Sequence, residues 1–255
     1  MTLAIRVGAQ IAINTLIIGY TFLNKLEKNR VNDTEEKVKE KFKSFLEEQK
    51  IRSDIIYSEQ SNSGIFSAFG VNLPSRGSPV ILMHPGAYEK DEKASDFVMK
   101  HEFSHIKYND TLTKHSIEAV AGAAATVFCF FIAAPILSTF AITVGFTVTI
   151  SIIVSQWRER AADNFAIKHS TDEELKGGRR FFQAMKEARK SKRSTFIKKL
   201  AYTESGEGRF GFTHPSLKSR IQKIEKEMAK RNIKVDEKTE NELIEKLTPC
   251  LATAV

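Results

Sequence analysis

The chain is 255 residues long, with 42% hydrophobic and 27% charged side chains, a balance that excludes disorder throughout and a bundle wholly embedded in lipid. Two cysteines, Cys129 and Cys250, are too few for a disulfide framework. The net charge of +8 invites an anionic partner, but residues 1–156 balance 16 basic against 16 acidic side chains, while residues 157–255 carry 23 against 15.

The first element is an apolar stretch from Val7 to Leu23, preceded by Arg6 and followed by Lys25, Lys28 and Arg30. No small-residue cleavage site closes it, so residues 1–30 read as an uncleaved membrane anchor, with an amphipathic interfacial helix as the alternative. The stronger positive flank follows the stretch and puts residues 31–255 on the cytoplasmic side. Asp33-Thr34-Glu35-Glu36 is a capping pattern that opens a helix with Val38, Phe42, Phe45 and Leu46 on one face. Residues 54–83 change period. Short runs at Ile55–Tyr57, Ile65–Phe69 and Val80–Met83 alternate with Gly and Pro, which predicts a small antiparallel sheet of two to four strands.

A helix is expected from about Glu92 to Tyr108. Beyond it, Ala119 to Gln156 is 38 consecutive residues without Asp, Glu, Lys, Arg or His. About 20 apolar residues span one bilayer, so this length predicts a membrane hairpin at about 119–156, turning around Pro135–Thr139. Ala121 to Ala125, rich in small side chains, would let the two arms approach closely. Basic residues flank the hairpin on both sides (Lys107 and Lys114 before, Arg158 and Arg160 after), which agrees with the topology set by the anchor. A helical hairpin buried in a soluble domain is the alternative. The last hundred residues read as helical, with a capping box at Thr171–Glu174 and an apolar stripe of Leu217, Ile221, Ile224 and Met228. The fold class is therefore α+β and mostly helical.

The strongest chemical signal is His101-Glu102-Phe103-Ser104-His105, an H-E-x-x-H. On a helix the two imidazoles project from one side and can share a Zn²⁺, while Glu102, about 100° round from His101, can hold a water. Met99, Phe103 and Ile106 give that helix a second, apolar face, so it should be buried. Burying two His and a Glu without partners is costly. Satisfied structural histidines are the other reading. A catalytic zinc takes a third protein ligand, for which Glu159 is a candidate, with Asp163 one turn on able to orient an imidazole. On their own these two would be ordinary surface carboxylates. His84, His115 and His169 have no partner spacing.

Taken together, four features resemble a known family: the integral-membrane H-E-x-x-H peptidases that include the bacterial heat-shock protease HtpX, the CAAX prenyl protease and the mitochondrial overlapping-activity peptidase. His101–His105 is followed by Asn109-Asp110, similar to that family's Asp five residues beyond the motif. Glu159-Arg160-Ala161-Ala162-Asp163 resembles its E-x-x-A-D element. Thr213-His214-Pro215 with Arg220-Ile221 resembles its late H-P…R-I element, and Ile65–Gly70 its edge strand. Ser67 and Arg160 stand where the family often has Asn and an aromatic.

The resemblance implies a zincin-like catalytic domain with the hairpin inserted between the ligand motifs. It implies His101, His105 and Glu159 as Zn²⁺ ligands, Glu102 as general base, Asp163 behind a ligand, and His214 and Arg220 near the oxyanion. Ser67, Ala68 and Phe69 would bind an extended substrate by strand addition. The expected function is a membrane-associated zinc endopeptidase acting on membrane or misfolded proteins, placed in the bacterial inner membrane with its catalytic domain facing the cytoplasm. Its partners would be protein or peptide substrates and the lipid bilayer, with no nucleic acid. A catalytically silent, membrane-tethered binding protein using the basic C-terminal helices is the rival.

Overall fold

The computed structural model describes residues 36–52, 54–57, 66–69, 80–83, 85–132, 135–192, 199–200, 202–208 and 214–254. The expected anchor at residues 1–30, the capping residues Asp33 to Glu35, His84 and Thr213 lie outside the described residues. Chain order is α1 (Glu36–Glu48), β1 (Asp54–Tyr57), β2 (Phe66–Phe69), β3 (Val80–Met83), α2 (Pro85–Lys90), α3 (Glu92–Lys107), α4 (Asp110–Phe131), α5 (Ile136–His169), α6 (Asp172–Ser191), α7 (Leu217–Lys230) and α8 (Glu237–Ala254). The protein is mostly helical.

The three strands pair in the order β1-β3-β2. β2 runs antiparallel to β3, with Ser67 opposite Leu82 and Phe69 opposite Val80. β1 runs parallel to β3, with Ile55 opposite Ile81. The expectation of an antiparallel sheet is thus corrected to a mixed one: the chain crosses over between β1 and β3 instead of returning by a hairpin.

Helix α3 organises the interior. Asp91 caps it, accepting the Ala94 N–H at 3.0 Å. One face sends Ala94, Phe97 and Val98 into a core built with α6, α7 and α8, whose contributions include Leu175, Phe182, Leu217, Ile224, Leu247 and Leu251. The opposite face sends Met99, Phe103 and Ile106 into a second core with Val38 and Phe42 of α1, Ile81 of β3 and Phe165 of α5. A helix clamped between two cores holds its remaining side chains in fixed directions. The stripe Leu217, Ile221, Ile224 and Met228 is buried in the first core, as its spacing predicts.

Close approach of α6 to α3 depends on glycine. A Cβ on Gly177 would sit 2.4 Å from the Ala94 backbone nitrogen, and one on Gly178 would sit 2.6 Å from the Phe97 ring. Because backbone cannot move aside as a side chain can, Gly177→Ala should cost about 1–3 kcal/mol of stability, the range for overpacking a core. A thermal melt in detergent checks this; an unchanged midpoint would contradict the packing.

The apolar block forms the two arms α4 and α5. Ala121, Gly122, Ala125 and Thr126 of α4 are buried, and Thr139 and Thr143 of α5 are buried as well. The Thr126 and Thr143 hydroxyls approach to 3.4 Å across the interface. The turn comes earlier than expected, ending at Pro135; Ser138 and Thr139 are helical, and the Thr139 hydroxyl donates to the Pro135 carbonyl at 3.1 Å. Only α5, 34 residues long, is long and apolar enough to cross a membrane among the described residues, and most of its apolar part is exposed. Its outward residues include Leu137, Phe140, Phe146, Ile153 and Trp157. The other arm is shorter in apolar length, because Lys114, His115 and Glu118 occupy its first turns.

Candidate metal centre and active site

Three elements meet at one point. α3 carries His101 and His105 one turn apart, α5 brings Glu159 where the helix leaves its apolar part, and the segment entering α7 brings His214. The Nε2 atoms of His101 and His105 lie 3.2 Å apart. Glu159 faces both, with Oε2 3.4 Å from His101 Nε2 and Oε1 3.5 Å from His105 Nε2. One donor atom from each of the three falls within 4.8 Å of the other two. Glu102, half-buried beside His101, forms no ion pair or hydrogen bond with any described residue.

Behind the donors sits a layer of charge. His101 Nδ1 lies 3.0 Å from Asp163 Oδ1. The Arg220 guanidinium grips Asp163, with Nε at 3.1 and 3.0 Å from its two oxygens and Nη2 at 2.5 Å from Oδ1. Arg220 also lies over the Phe182 ring, 4.1 Å from its centroid. Burial works to lower the pKa of His101, but hydrogen bonds to Asp163 and Glu159 prevail and raise it to about 10. Two carboxylates facing one imidazole favour positive charge there, whether a proton or a metal cation supplies it.

Each residue singled out from the sequence can now be placed. His101, His105 and Glu159 converge, and Asp163 stands behind His101. His214 lies at the mouth, its side chain exposed and its Nε2 3.4 Å from Glu159 Oε1. Ser67, Ala68 and Phe69 form β2, at one edge of the sheet and packed beside α3. Arg220 reaches both the layer behind the donors and the donors themselves. Its guanidinium holds Asp163 and faces His101 Nδ1 at 3.3 Å, while its Nη1 lies 3.8 Å from Glu159 Oε2, one of the converging atoms.

Two further residues, assigned no role at the site from sequence, stand behind His105. Asp110 Oδ2 lies 2.7 Å from His105 Nδ1. Arg158, taken as a basic flank at the membrane surface, is 6% exposed and lies 2.9 Å from Asp110 Oδ1. The Asp at a fixed distance beyond H-E-x-x-H was a usable signal for Asp110; for Arg158 there was none, since 48 residues separate the pair.

The model for peptidase family M48 matches residues 32–228, which span every residue of this site. The chain belongs to peptidase family M48. No curated protein and no solved structure matches it. The M48 assignment agrees with the resemblance read from the ordered H-E-x-x-H, E-x-x-A-D and H-P…R-I elements, and makes this chain a member of a metallopeptidase family. The donor set fits a metal on its own terms. Two imidazole nitrogens and a carboxylate oxygen suit zinc. Glu159 Oε2 is buried with only long contacts, 3.4 Å to His101 Nε2 and 3.8 Å to Arg220 Nη1, so a cation would satisfy it better than these neighbours do.

Proposed function

We propose that this M48 chain is a zinc-dependent endopeptidase held at a membrane surface, where it cleaves membrane or misfolded proteins. The observation that carries the reading is the convergence of His101, His105 and Glu159 within 4.8 Å, on rigid helices, with Glu102 next to the first of them. His101 and His105 through Nε2 and Glu159 through its carboxylate would hold the zinc, which when bound polarises a carbonyl and acidifies a water.

The chain's own residues supply the remaining chemistry. Glu102 accepts the proton of the attacking water on its carboxylate and later returns it to the departing amine nitrogen. His214, exposed at the mouth, donates an N–H to the carbonyl oxygen as negative charge develops there. Asp163 keeps His101 in the tautomer whose Nε2 has a free lone pair. β2 is an edge strand among the described residues, and an extended substrate would add to it along Ser67, Ala68 and Phe69, beside α3.

The apolar part of α5 ends at Trp157, two residues before Glu159, so insertion of that arm would set the cleft at the bilayer surface. In that geometry the basic segment 157–255 would lie near the anionic lipid headgroups, as expected for a catalytic domain on the cytoplasmic side of a bacterial inner membrane. Protein substrates emerging from, or exposed beside, the membrane are the class that can reach it.

Purified full-length chain in detergent should contain about one zinc per molecule, as tetrahedral sites of this type do. It should also degrade an unfolded test protein. A chelator should stop degradation and added zinc restore it. Cleavage that persists after the metal has been stripped would refute the reading.

A further inference from the structure

His101 and His105 are anchored in parallel ways. The Nδ1 of each faces an aspartate, and each aspartate faces an arginine: His101–Asp163–Arg220 on one side, His105–Asp110–Arg158 on the other. Only the first of these arginines lies in a motif. We propose that Arg158 is a positioning residue for the metal centre, acting through Asp110 to fix the orientation of His105. The proposal rests on the reading of His101, His105 and Glu159 as zinc ligands.

Local structure explains how Asp110 reaches back. α3 ends at Lys107, and the chain reverses through Tyr108 and Asn109, the latter in the left-handed region with φ 50° and ψ 46°. Asn tolerates that conformation better than most residues. The reversal makes Asp110 the first residue of α4 and returns its carboxylate to the last turn of α3, where His105 stands. The N-terminus of α4 also favours a negative charge at this position.

Arg158 is a poor choice for stability alone. Its Nε and Nη1 are buried with no hydrogen-bond partner, and Asp110 is its one ion-pair partner among the described residues. A buried ion pair served so incompletely is usually no more stable than a well-packed apolar pair of similar volume. What it does provide is a rigid hold on Asp110 from the residue directly before Glu159. Any shift of this turn of α5 therefore moves the third ligand and the anchor of the second together. The same ion pair joins α4 to α5, so it also closes the base of the apolar hairpin. The orientation of His105 is thereby tied to the two arms staying together.

The test is zinc affinity of the full-length chain in detergent, measured by competition with a chelator, alongside thermal melts of the metal-free protein. Arg158→Met should weaken zinc binding by about 10–100-fold, the usual effect of removing a group that orients a ligand. The metal-free melting midpoint of the Arg158→Met, Asp110→Asn double variant, which removes both charges, should stay near that of wild type, which a purely structural role would not allow. Asp110→Asn should weaken zinc binding comparably, and the double variant should be no worse than the worse single, because both act along one path. Arg160→Met, changing an exposed neighbour, should leave affinity unchanged. Arg158→Lys, which keeps the charge without the fork, should fall between wild type and Arg158→Met, and it carries the test if Arg158→Met does not fold. Wild-type affinity in Arg158→Met, or in Arg158→Lys and Asp110→Asn together, overturns the proposal and leaves the zinc reading standing. Failure of the wild-type chain to take up zinc overturns both.

Discussion

Glu102→Gln should abolish peptide hydrolysis while leaving zinc in place. Glu102 shares helix α3 with His101 and His105 but is not one of the three converging donors, and it has no ion-pair or hydrogen-bond partner among the described residues. The substitution keeps shape and hydrogen-bonding capacity and removes only the ability to take a proton. General-base catalysis contributes about 10²–10⁴ in rate, so degradation of an unfolded test protein should fall by that factor. Zinc content should remain at the wild-type level. The contrast is with His105→Ala, which removes a donor and should lose metal and activity together. Retained cleavage by Glu102→Gln would remove Glu102 from the mechanism; lost zinc would make it a ligand.

The second large effect concerns stability and lies about as deep in the fold. Arg180 of α6 is 4% exposed and bridges two buried carboxylates. Its Nε and Nη2 reach the two oxygens of Asp91 at 2.6 and 3.1 Å, and its Nη1 reaches Glu240 of α8 at 2.5 Å. Asp91 caps α3, so this arginine connects the C-terminal helix to the start of the helix that carries both histidines. Arg180→Ala would leave Asp91 buried without its cation and Glu240 with only the more distant Arg179, 3.7 Å away. Breaking a buried pair by deleting one partner costs about 3–5 kcal/mol, and here one deletion breaks two. Chemical denaturation of the full chain in detergent should show a loss of that size. Glu240→Gln, which keeps a hydrogen-bond acceptor for Arg180, should cost less. A loss below about 1 kcal/mol, the range of exposed ion pairs, would mean that solvent reaches the network.

Glu240 also shows where the folded unit ends. The family match stops at residue 228, yet α8 begins at Glu237 and buries Leu247 and Leu251 in the same core as Phe97 of α3. The helix after the matched region is part of the domain's packing.

Much of the site was legible before any folding because helices write their geometry into sequence spacing. His101 and His105, four residues apart, must share a side of α3. Met99, Phe103 and Ile106 mark a second buried face, and the structure gives that helix two separate cores. Glu159 and Asp163 are likewise one turn apart on α5, and one faces the converging nitrogens while the other stands behind His101. The apolar stripe of α7 reads off its own period.

Other features follow no local pattern. β1 and β3 run parallel because of the path the chain takes between residues 57 and 80, and strand composition does not record that path. The hold of Arg220 on Asp163, 57 residues away in sequence, depends on where α7 packs against α5 and is not recorded in the motif. Arg158 follows an apolar run and precedes another basic residue, which in sequence marks a membrane flank. Only the fold shows that the helix has turned it inward toward Asp110.

The sequence alone therefore determined the chemistry available to this protein: the donor types, the base beside them, and a long uncharged block between the ligand motifs. Spacing within a single helix is a short-range property, and these features depend on nothing else. Tertiary structure decided which charged groups stand behind the donors. A side chain's partner across 48 or 57 residues is set by how helices pack, and packing is a property of the whole chain.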